Sequence, residues 1–295
     1  MRIFRKMKKN ITTLLILIII FISACSERVD IDLNDENNKR LVLYGYITTD
    51  TMKHQISLTY SADYFFNNPP QPVLNAQVTI EEWNNDKSSL IRVIELDPSG
   101  QNDGIYHTRN TTYAKEDHYY KCIAIVDDPD IGGTYTAESY CPPISRTDLE
   151  IELEFEPDWG DDGFIVVKCY YQDPPTREWY LFNIYKNGIL LTDSLSEKSV
   201  TDDEFYNGGY TNGIGVGFLN QSREDEKVRF GDTIKFQAGS IPENYANFIW
   251  EAQAEIQFNT PLFSGPPANI SSNINNGAIG FFSAFSTAYA STVYD

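Results

Sequence analysis

The sequence predicts an all-β fold of two β-sandwich domains with one short amphipathic helix near the C-terminus. Short β-branched and aromatic runs alternate with clusters of Asn, Asp, Pro and Gly, which is typical of strands and turns. The chain has 295 residues, which is too long for one small sandwich and sufficient for two cores. A helical period occurs in one segment only, at about residues 241–257.

The first sandwich is placed at residues 40–143. Six apolar runs define its strands, at residues 41–47, 54–60, 76–83, 90–96, 119–126 and 134–141. Their number and spacing predict an immunoglobulin-like arrangement. Pro142 and Pro143 cannot extend a hydrogen-bonded ladder, so we expect the first domain to end there.

The second sandwich is placed at residues 148–295. Its predicted strands are residues 163–171, 178–185, 211–219, 233–238 and 278–285. Asn187-Gly188 lies between two apolar runs and predicts a tight hairpin. Tyr245, Phe248 and Ala252 recur at helical spacing after Ser240-Ile241-Pro242-Glu243, which has the residue order of a capping box. We expect that helix to bury one stripe.

Residues 1–24 are predicted to be a lipoprotein signal peptide. Five basic residues precede a short apolar run. That run is too short for a span, which needs about 20 apolar residues. Ile22-Ser23-Ala24-Cys25 then resembles the lipobox of bacterial lipoproteins, so we expect lipidation, with palmitate or similar acyl chains, at Cys25. The alternative is an ordinary signal peptide followed by a chance cysteine.

We expect the mature protein to be anchored in the outer membrane by its lipid, with residues 25–39 as a flexible tether. The acidic residues 26–32 resemble the export tag of surface-displayed lipoproteins, which makes exposure at the cell surface an option. Removal of residues 1–24 moves the formal net charge from -19 to -24. Such an acidic body repels nucleic acid and anionic headgroups, so the lipid alone should contact the membrane.

Two cysteines are candidates for a disulfide. A hairpin folded about Asp130 and Ile131 brings Cys122 nearly opposite Cys141, and an exported protein meets an oxidising compartment. The alternative is two separate buried thiols. Cys169 lies in an apolar run and is expected in the core.

No catalytic residue, metal ligand or cofactor site is predicted. The three histidines, His54, His107 and His118, have no acid or thiol at the spacing of a zinc site or a catalytic triad. Aromatic residues in loops are candidate ligand contacts. These are Tyr64, Phe65, Phe66, Trp159, Phe205 and Tyr206.

Five features together resemble a family of Bacteroidetes-type outer-membrane lipoproteins classed as a domain of unknown function. They are Cys25, residues 41–47, Pro142-Pro143, residues 263–270 and residues 277–282. The resemblance implies a two-part β architecture and an outer-membrane address. Genes of such proteins often lie near those of TonB-dependent receptors, and the family carries no catalytic residues to transfer.

Three functions follow as expectations. The first is a non-enzymatic accessory or binding subunit beside a TonB-dependent outer-membrane transporter. The second is a surface glycan-binding module, which requires exposed aromatic residues clustered in one groove. The third is a hydrolase of polysaccharide or peptide, which requires two carboxylates, or a nucleophile and a base, in one cleft.

Overall fold

Alternating apolar residues form fifteen strands in the part of the chain that the computed structural model describes, residues 39–61, 69–144, 148–257 and 270–295. The strands of the first half are β1 (Leu41–Thr48), β2 (Gln55–Tyr60), β3 (Ala76–Trp83), β4 (Leu90–Pro98), β5 (Ile105–Thr108), β6 (Tyr119–Val126) and β7 (Gly133–Tyr140). Those of the second half are β8 (Glu150–Glu156), β9 (Phe164–Tyr170), β10 (Trp179–Lys186), β11 (Ile189–Leu190), β12 (Ser199–Asp202), β13 (Ile214–Asn220), β14 (Thr233–Ile241) and β15 (Ile279–Val293). One α-helix, α1 (Glu243–Gln257), joins β14 to the segment before β15.

Several predicted features lie outside the described residues. They are the signal peptide at 1–24, Cys25, the tether as far as residue 38, Tyr64, Phe65, Phe66 and residues 263–269 of the C-terminal motif. For these the sequence-based expectations stay predictions.

One large sheet runs through both halves of the chain. Its strand order is β11-β10-β14-β15-β1-β2-β5-β4-β3-β6-β7, with β12 paired to β10. A second sheet, in the order β13-β9-β8, packs its apolar face against β10 and β14, where Val167 and Cys169 share a core with Phe182 and Phe236. The all-β sandwich prediction is therefore confirmed, and Cys169 lies in the core as expected.

The strands of the first half follow one another along a single hydrogen-bonded path. The all-β character of the first half is confirmed, and its immunoglobulin-like topology stays a sequence-based prediction. The core of this half contains Leu43, Ile80 and Tyr120 together with Phe282 and Ala284 of β15. The C-terminal segment, which sequence order assigns to the second domain, thus completes the core of the first half.

Strand β15 joins the two halves because it pairs on both edges. It runs parallel to β1 and antiparallel to β14. Residues 39–295 accordingly form one compact unit, while the domain boundaries at 143 and 148 stay a sequence-based prediction. A pairing between residues that are more than two hundred positions apart leaves no local pattern in the sequence.

Helix α1 confirms the predicted helix near residues 241–257. It covers the face of the large sheet opposite to the small sheet, and Tyr245, Phe248 and Ile249 pack there against Phe281 and Phe285. The predicted capping box does not form at its start, because Ser240 belongs to β14, where it pairs with Tyr180. The carbonyl of Pro242 instead accepts the first backbone hydrogen bonds, from Tyr245 and Ala246.

The predicted hairpin at Asn187-Gly188 is also confirmed. Both residues have positive φ, 51° and 83°, as a type I′ turn requires. The turn joins β10 to β11, and its Asn187 side chain accepts the backbone N–H of Thr233 at 3.0 Å.

The predicted disulfide between Cys122 and Cys141 was wrong. Cys122 pairs with Ala137, and the N–H of Cys141 donates to the carbonyl of His118, so the two cysteines are offset by four residues. That offset is about 13 Å along a strand, whereas a disulfide needs Cα atoms within about 7 Å. Both thiols are free and buried, and burial raises the pKa of the Cys122 thiol to about 12.

The registers differ because the β6–β7 loop turns earlier than the sequence suggested. The carboxylate of Asp128 accepts the backbone N–H groups of Asp130 and Ile131, at 2.9 and 3.1 Å. This Asx-type turn lets Gly133 begin β7 directly opposite Val126. Each residue of β7 therefore pairs with a different residue of β6 from the one that the sequence suggested.

Candidate binding site

The outer face of β3, β6 and β7 carries partly exposed aromatic side chains. In β3 the buried positions are Val78, Ile80 and Glu82, so Glu81 and Trp83 belong to the partly exposed set. The same alternation along β6 buries Tyr120 and Cys122 and leaves Tyr119 and Lys121 partly exposed. Because side chains on a strand alternate between its two faces, the aromatic residues of neighbouring strands come together on one face.

Three of these aromatic residues form a row across neighbouring strands. Trp83 pairs with Tyr119, and Tyr119 pairs with Tyr140. The rings of Tyr119 and Tyr140 have centroids 5.1 Å apart. We call Trp83, Tyr119 and Tyr140 the aromatic row.

A cleft of about 170 Å³ opens beside Trp83 and Tyr119 of this row. Its lining residues are Trp83, Lys87, Tyr119, Tyr120, Lys121 and Glu138. Nζ of Lys87, from the turn between β3 and β4, lies 2.6 Å from a carboxylate oxygen of Glu138 and 4.4 Å from the ring centroid of Tyr119. The cleft therefore combines aromatic surfaces with charged hydrogen-bonding groups.

Hydrogen bonds fix the orientation of the two outer rings of the row. The indole N–H of Trp83 donates to Glu81 at 3.0 Å, and the hydroxyl of Tyr140 donates to Asp117 at 2.6 Å. Burial and the contact with Asp117 raise the pKa of the Tyr140 hydroxyl above its usual value, so it remains a donor at neutral pH. Both rings are set in place before any ligand arrives.

A buried ionic cluster supports the same end of the sheet from the inner face. Glu82, whose side chain is 4% exposed, pairs with Nε of Arg92, and its second oxygen lies 2.7 Å from Nδ1 of His118. Arg92 continues to Oγ1 of Thr112 at 3.0 Å and to the carbonyl of Tyr113 at 2.5 Å. These contacts link β3, β4 and the segment that precedes β6, and they hold the strands that carry the aromatic row.

The chemistry that the cleft offers is hydrogen bonding and stacking. Its side chains on the outer face supply two ammonium groups, a carboxylate, one phenol and an indole, and the six lining residues include no histidine, cysteine or serine. Among all residues that the structure describes, no group of three or more His, Cys, Asp and Glu side chains is arranged to hold a metal ion.

The predicted ligand contact Trp159 lies elsewhere. Its side chain is 46% exposed and belongs to the loop between β8 and β9. It packs against Phe164 and Phe218, with ring centroids 6.4 and 6.0 Å away. These rings form an apolar patch at the start of β9.

Phe205 and Tyr206 lie in the loop between β12 and β13. Phe205 is 96% exposed, whereas Tyr206 packs edge-on against Tyr171, with centroids 6.2 Å apart. Tyr171 directly follows β9, so this loop and Trp159 contact opposite ends of that strand. The described candidates from the sequence therefore do not form one groove.

The aromatic row was not predicted, because only aromatic residues in loops were considered as ligand contacts. The usable signal was the two-residue period. Trp83 has the same parity as Gln77, Thr79 and Glu81, which are polar and mark the outer face of β3. The pairing of Glu82 with His118 had no such signal, because the two residues are far apart in the sequence.

A protein-family model described as a domain of unknown function (DUF4249) matches residues 26–290. The chain belongs to the DUF4249 family. The DUF4249 match includes β1 to β14, helix α1 and most of β15, so the aromatic row and the cleft lie within the family domain. A search of curated proteins finds no match to the sequence. Within the described residues, no helix has the length and apolar character of a membrane span.

Proposed function

We propose that this DUF4249 protein is a lipid-anchored component of the cell envelope that acts as a non-enzymatic accessory or binding subunit of a TonB-dependent outer-membrane transporter. Its location is argued from Ile22-Ser23-Ala24-Cys25 after a basic and then apolar leader. The transporter partner is argued from the gene neighbourhood that the family resemblance implies. Both parts are open to direct test.

The observation that carries the binding role is the exposed apolar surface beside the aromatic row. Along β4, Leu90 is 45% exposed, Ile91 53% and Val93 50%. On the outer face, Val93 pairs with Glu81 in β3, and Leu90 pairs with Trp83. Contiguous exposed apolar side chains are unusual on a soluble surface and mark a place where another molecule binds.

Co-purification tests the transporter partner. The full-length protein carrying an affinity tag is cross-linked in intact cells, extracted in mild detergent and analysed by mass spectrometry. We expect a TonB-dependent transporter to be enriched with the wild-type chain. The double variant Ile91→Glu, Val93→Glu should lose that enrichment by about tenfold or more, because two buried apolar contacts are replaced by desolvated charges.

The matched control is Ile189→Glu, which places the same charge on an isoleucine that is 69% exposed in the hairpin after β10. It should retain the transporter. Repeated pull-downs without any transporter, or equal enrichment with the β4 double variant, would refute the proposed partnership.

Surface display has its own test, which is protease shaving of intact cells. We expect peptides from residues 39–295 to be released from intact cells when the protein faces outward. Release only after cell disruption would assign the protein to the inner side of the outer membrane.

A second candidate function is a surface glycan-binding module. The observation that favours it is the aromatic row with charged groups at its rim, which is the kind of clustered platform that such a module needs. Glycan binding is compatible with the transporter role, since a transporter subunit that captures substrate binds both the transporter and the glycan. A hydrolase is the third candidate and has no described feature that favours it.

A further inference from the structure

We infer that the aromatic row is the binding site for an uncharged glycan of at least two linked pyranose rings. The inference rests on the proposed binding role and adds the site and the class of ligand. A pyranose ring has an apolar face of C–H groups and a rim of hydroxyl groups. It is therefore recognised by an aromatic ring beneath it and by hydrogen-bonding groups at its edge.

The spacing of the row suits successive sugar rings. Neighbouring strands lie about 4.8 Å apart, and the three residues occupy paired positions on three consecutive strands. The row therefore extends about 10 Å across the sheet, which accommodates two linked sugar rings side by side. Because the strand spacing is a property of the sheet, this repeat does not depend on loop conformation.

The rings are preorganised for stacking. Glu81 holds the indole of Trp83, and Asp117 holds the phenol of Tyr140, as described above. A ligand then does not have to order these side chains, which removes part of the entropic cost of binding. The buried cluster around Glu82 stiffens the strands under the row in the same way.

Lys87 and Glu138 form the polar rim. Their ion pair is half exposed, with side-chain exposures of 47% and 50%. Pairs of this kind contribute at most about 1 kcal/mol, so sugar hydroxyls can replace the pair and use both partners as donor and acceptor. Lys87 also covers the Tyr119 ring, and its displacement uncovers that ring for the ligand.

The charge balance of the rim favours an uncharged ligand. Lys87 and Lys121 contribute two positive charges beside the row, and Glu81, Asp117 and Glu138 contribute three negative charges. Neither an anionic nor a cationic ligand gains much from charges of both signs that nearly cancel. A neutral molecule rich in hydroxyl groups can use both kinds of group.

The test uses the full-length protein in detergent micelles. An array of neutral oligosaccharides, from disaccharides to hexasaccharides of glucose, mannose, galactose and xylose, identifies binders, and calorimetry on the strongest one gives an affinity. We expect Trp83→Ala and Tyr119→Ala each to weaken that affinity by roughly tenfold or more, because each removes one stacking surface. Trp159→Ala, which removes an exposed tryptophan outside the row, should leave the affinity unchanged.

A second measurement does not depend on variants that fold. Saturation-transfer NMR on the wild-type complex should show the strongest transfer from the protein to the C–H protons of one sugar face. As a separate check, Lys87→Ala should weaken binding less than either row variant, since it removes one rim donor but also uncovers the Tyr119 ring.

Three outcomes would overturn the inference. They are no binder on the array, unchanged affinity in both row variants, or loss of affinity in Trp159→Ala instead. An empty array together with successful capture of the transporter would refute the glycan site and leave the proposed function standing. A glycan signal without capture of any transporter would support the glycan site and refute the proposed transporter partnership.

Discussion

At the scale of single residues, Glu82 contributes most clearly to stability. It is a buried carboxylate between Arg92 and His118. Removal of one member of a buried ion pair leaves the other charge without its partner, which costs about 3–5 kcal/mol. Because Arg92 is about a third exposed, we expect the low end of this range.

The corresponding prediction is that Glu82→Gln lowers the free energy of unfolding by about 3 kcal/mol. Urea denaturation followed by circular dichroism measures it. Glu81→Gln is the matched control, since it makes the same change one residue away on the outer face and preserves the acceptor for Trp83. It should cost less than about 0.5 kcal/mol. Equal losses in the two variants would contradict the assigned role of Glu82.

The cysteines yield a second prediction at this scale. The denatured Cys25→Ala chain should show three reactive thiols, because Cys122, Cys141 and Cys169 are free. In the native state reaction should be slow, since all three are buried and burial raises the pKa of the Cys122 and Cys141 thiols. Thiol titration with and without denaturant measures both. A count of one thiol after denaturation would show that two of the three cysteines form a disulfide.

Features of single residues were predictable where they depend only on residues nearby in the sequence. The Asn187-Gly188 turn and the buried position of Cys169 are of this kind. The register of Cys122 was not, because it depends on how Asp128 closes the preceding loop. A single side-chain hydrogen bond can therefore shift the register of two strands by a few residues, and the two-residue period of a strand does not show that shift.

At the scale of elements, the loop between β12 and β13 is held by buried acids. The hydroxyl of Tyr180 lies 2.8 Å from a carboxylate oxygen of Asp173 and also contacts Glu178. A hydroxyl has one proton, so one of these two contacts needs a proton from a carboxyl group. Burial raises the pKa of Asp173, with Asp203 and Glu178 adding to the rise, and we therefore assign the extra proton to Asp173.

The sign of the resulting pH dependence follows from linkage. A carboxyl whose pKa is raised on folding contributes its full stability below its unfolded pKa of about 4 and loses it as pH rises through the folded value. Asp173→Asn mimics the protonated acid, since its amide can donate to Tyr180 and accept the N–H of Gly208. The variant avoids the loss at higher pH.

We expect Asp173→Asn to match wild type near pH 4 and to exceed its unfolding temperature by about 2–4 °C at pH 8. Calorimetry at the two pH values measures this. Asp97→Asn is the control of opposite sign, because its hydrogen bond with Arg109 lowers the pKa of Asp97, and its removal should matter only above that pKa. A variant less stable than wild type at pH 8 would contradict a protonated Asp173.

Most elements could be predicted from local alternation, but their pairing could not. Helix α1 and the majority of strands have clear periods of apolar residues. Strand β8 was missed, although its acidic residues alternate with Ile151, Leu153 and Phe155. Strand β15 was predicted only at its start, because its later half is rich in Ser, Thr and Ala.

At the scale of the whole molecule, β15 contributes to both cores, and its pairing with β1 depends on Gly280. This glycine has φ of +105°, and a Cβ placed on it would lie 2.1 Å from the carbonyl oxygen of Leu43. Any side chain must therefore separate the two strands locally. The cost should affect both cores, because both use residues of β15.

We predict that Gly280→Ala destabilises the chain by more than about 3 kcal/mol, which exceeds the 1–2 kcal/mol expected for positive φ alone. Gly100→Ala is the control, since Gly100 has φ of +81° and a Cβ added to it would meet no atom within 4 Å. It should cost only about 1–2 kcal/mol. Similar unfolding midpoints for the two variants would show that the β1–β15 junction tolerates a side chain.

The proposed location depends on lipid attachment at Cys25, and the intact mass of the membrane-extracted protein is the decisive test of that attachment. We predict that the wild-type chain begins at Cys25 and carries the added mass of a diacylglycerol and a further acyl chain. Cys25→Ala should lack both the acyl mass and the cleavage. If Cys25→Ala stays in the membrane fraction with the same cleaved, acylated mass as wild type, apart from the substituted side chain, the anchor is not at Cys25 and the proposed location is wrong.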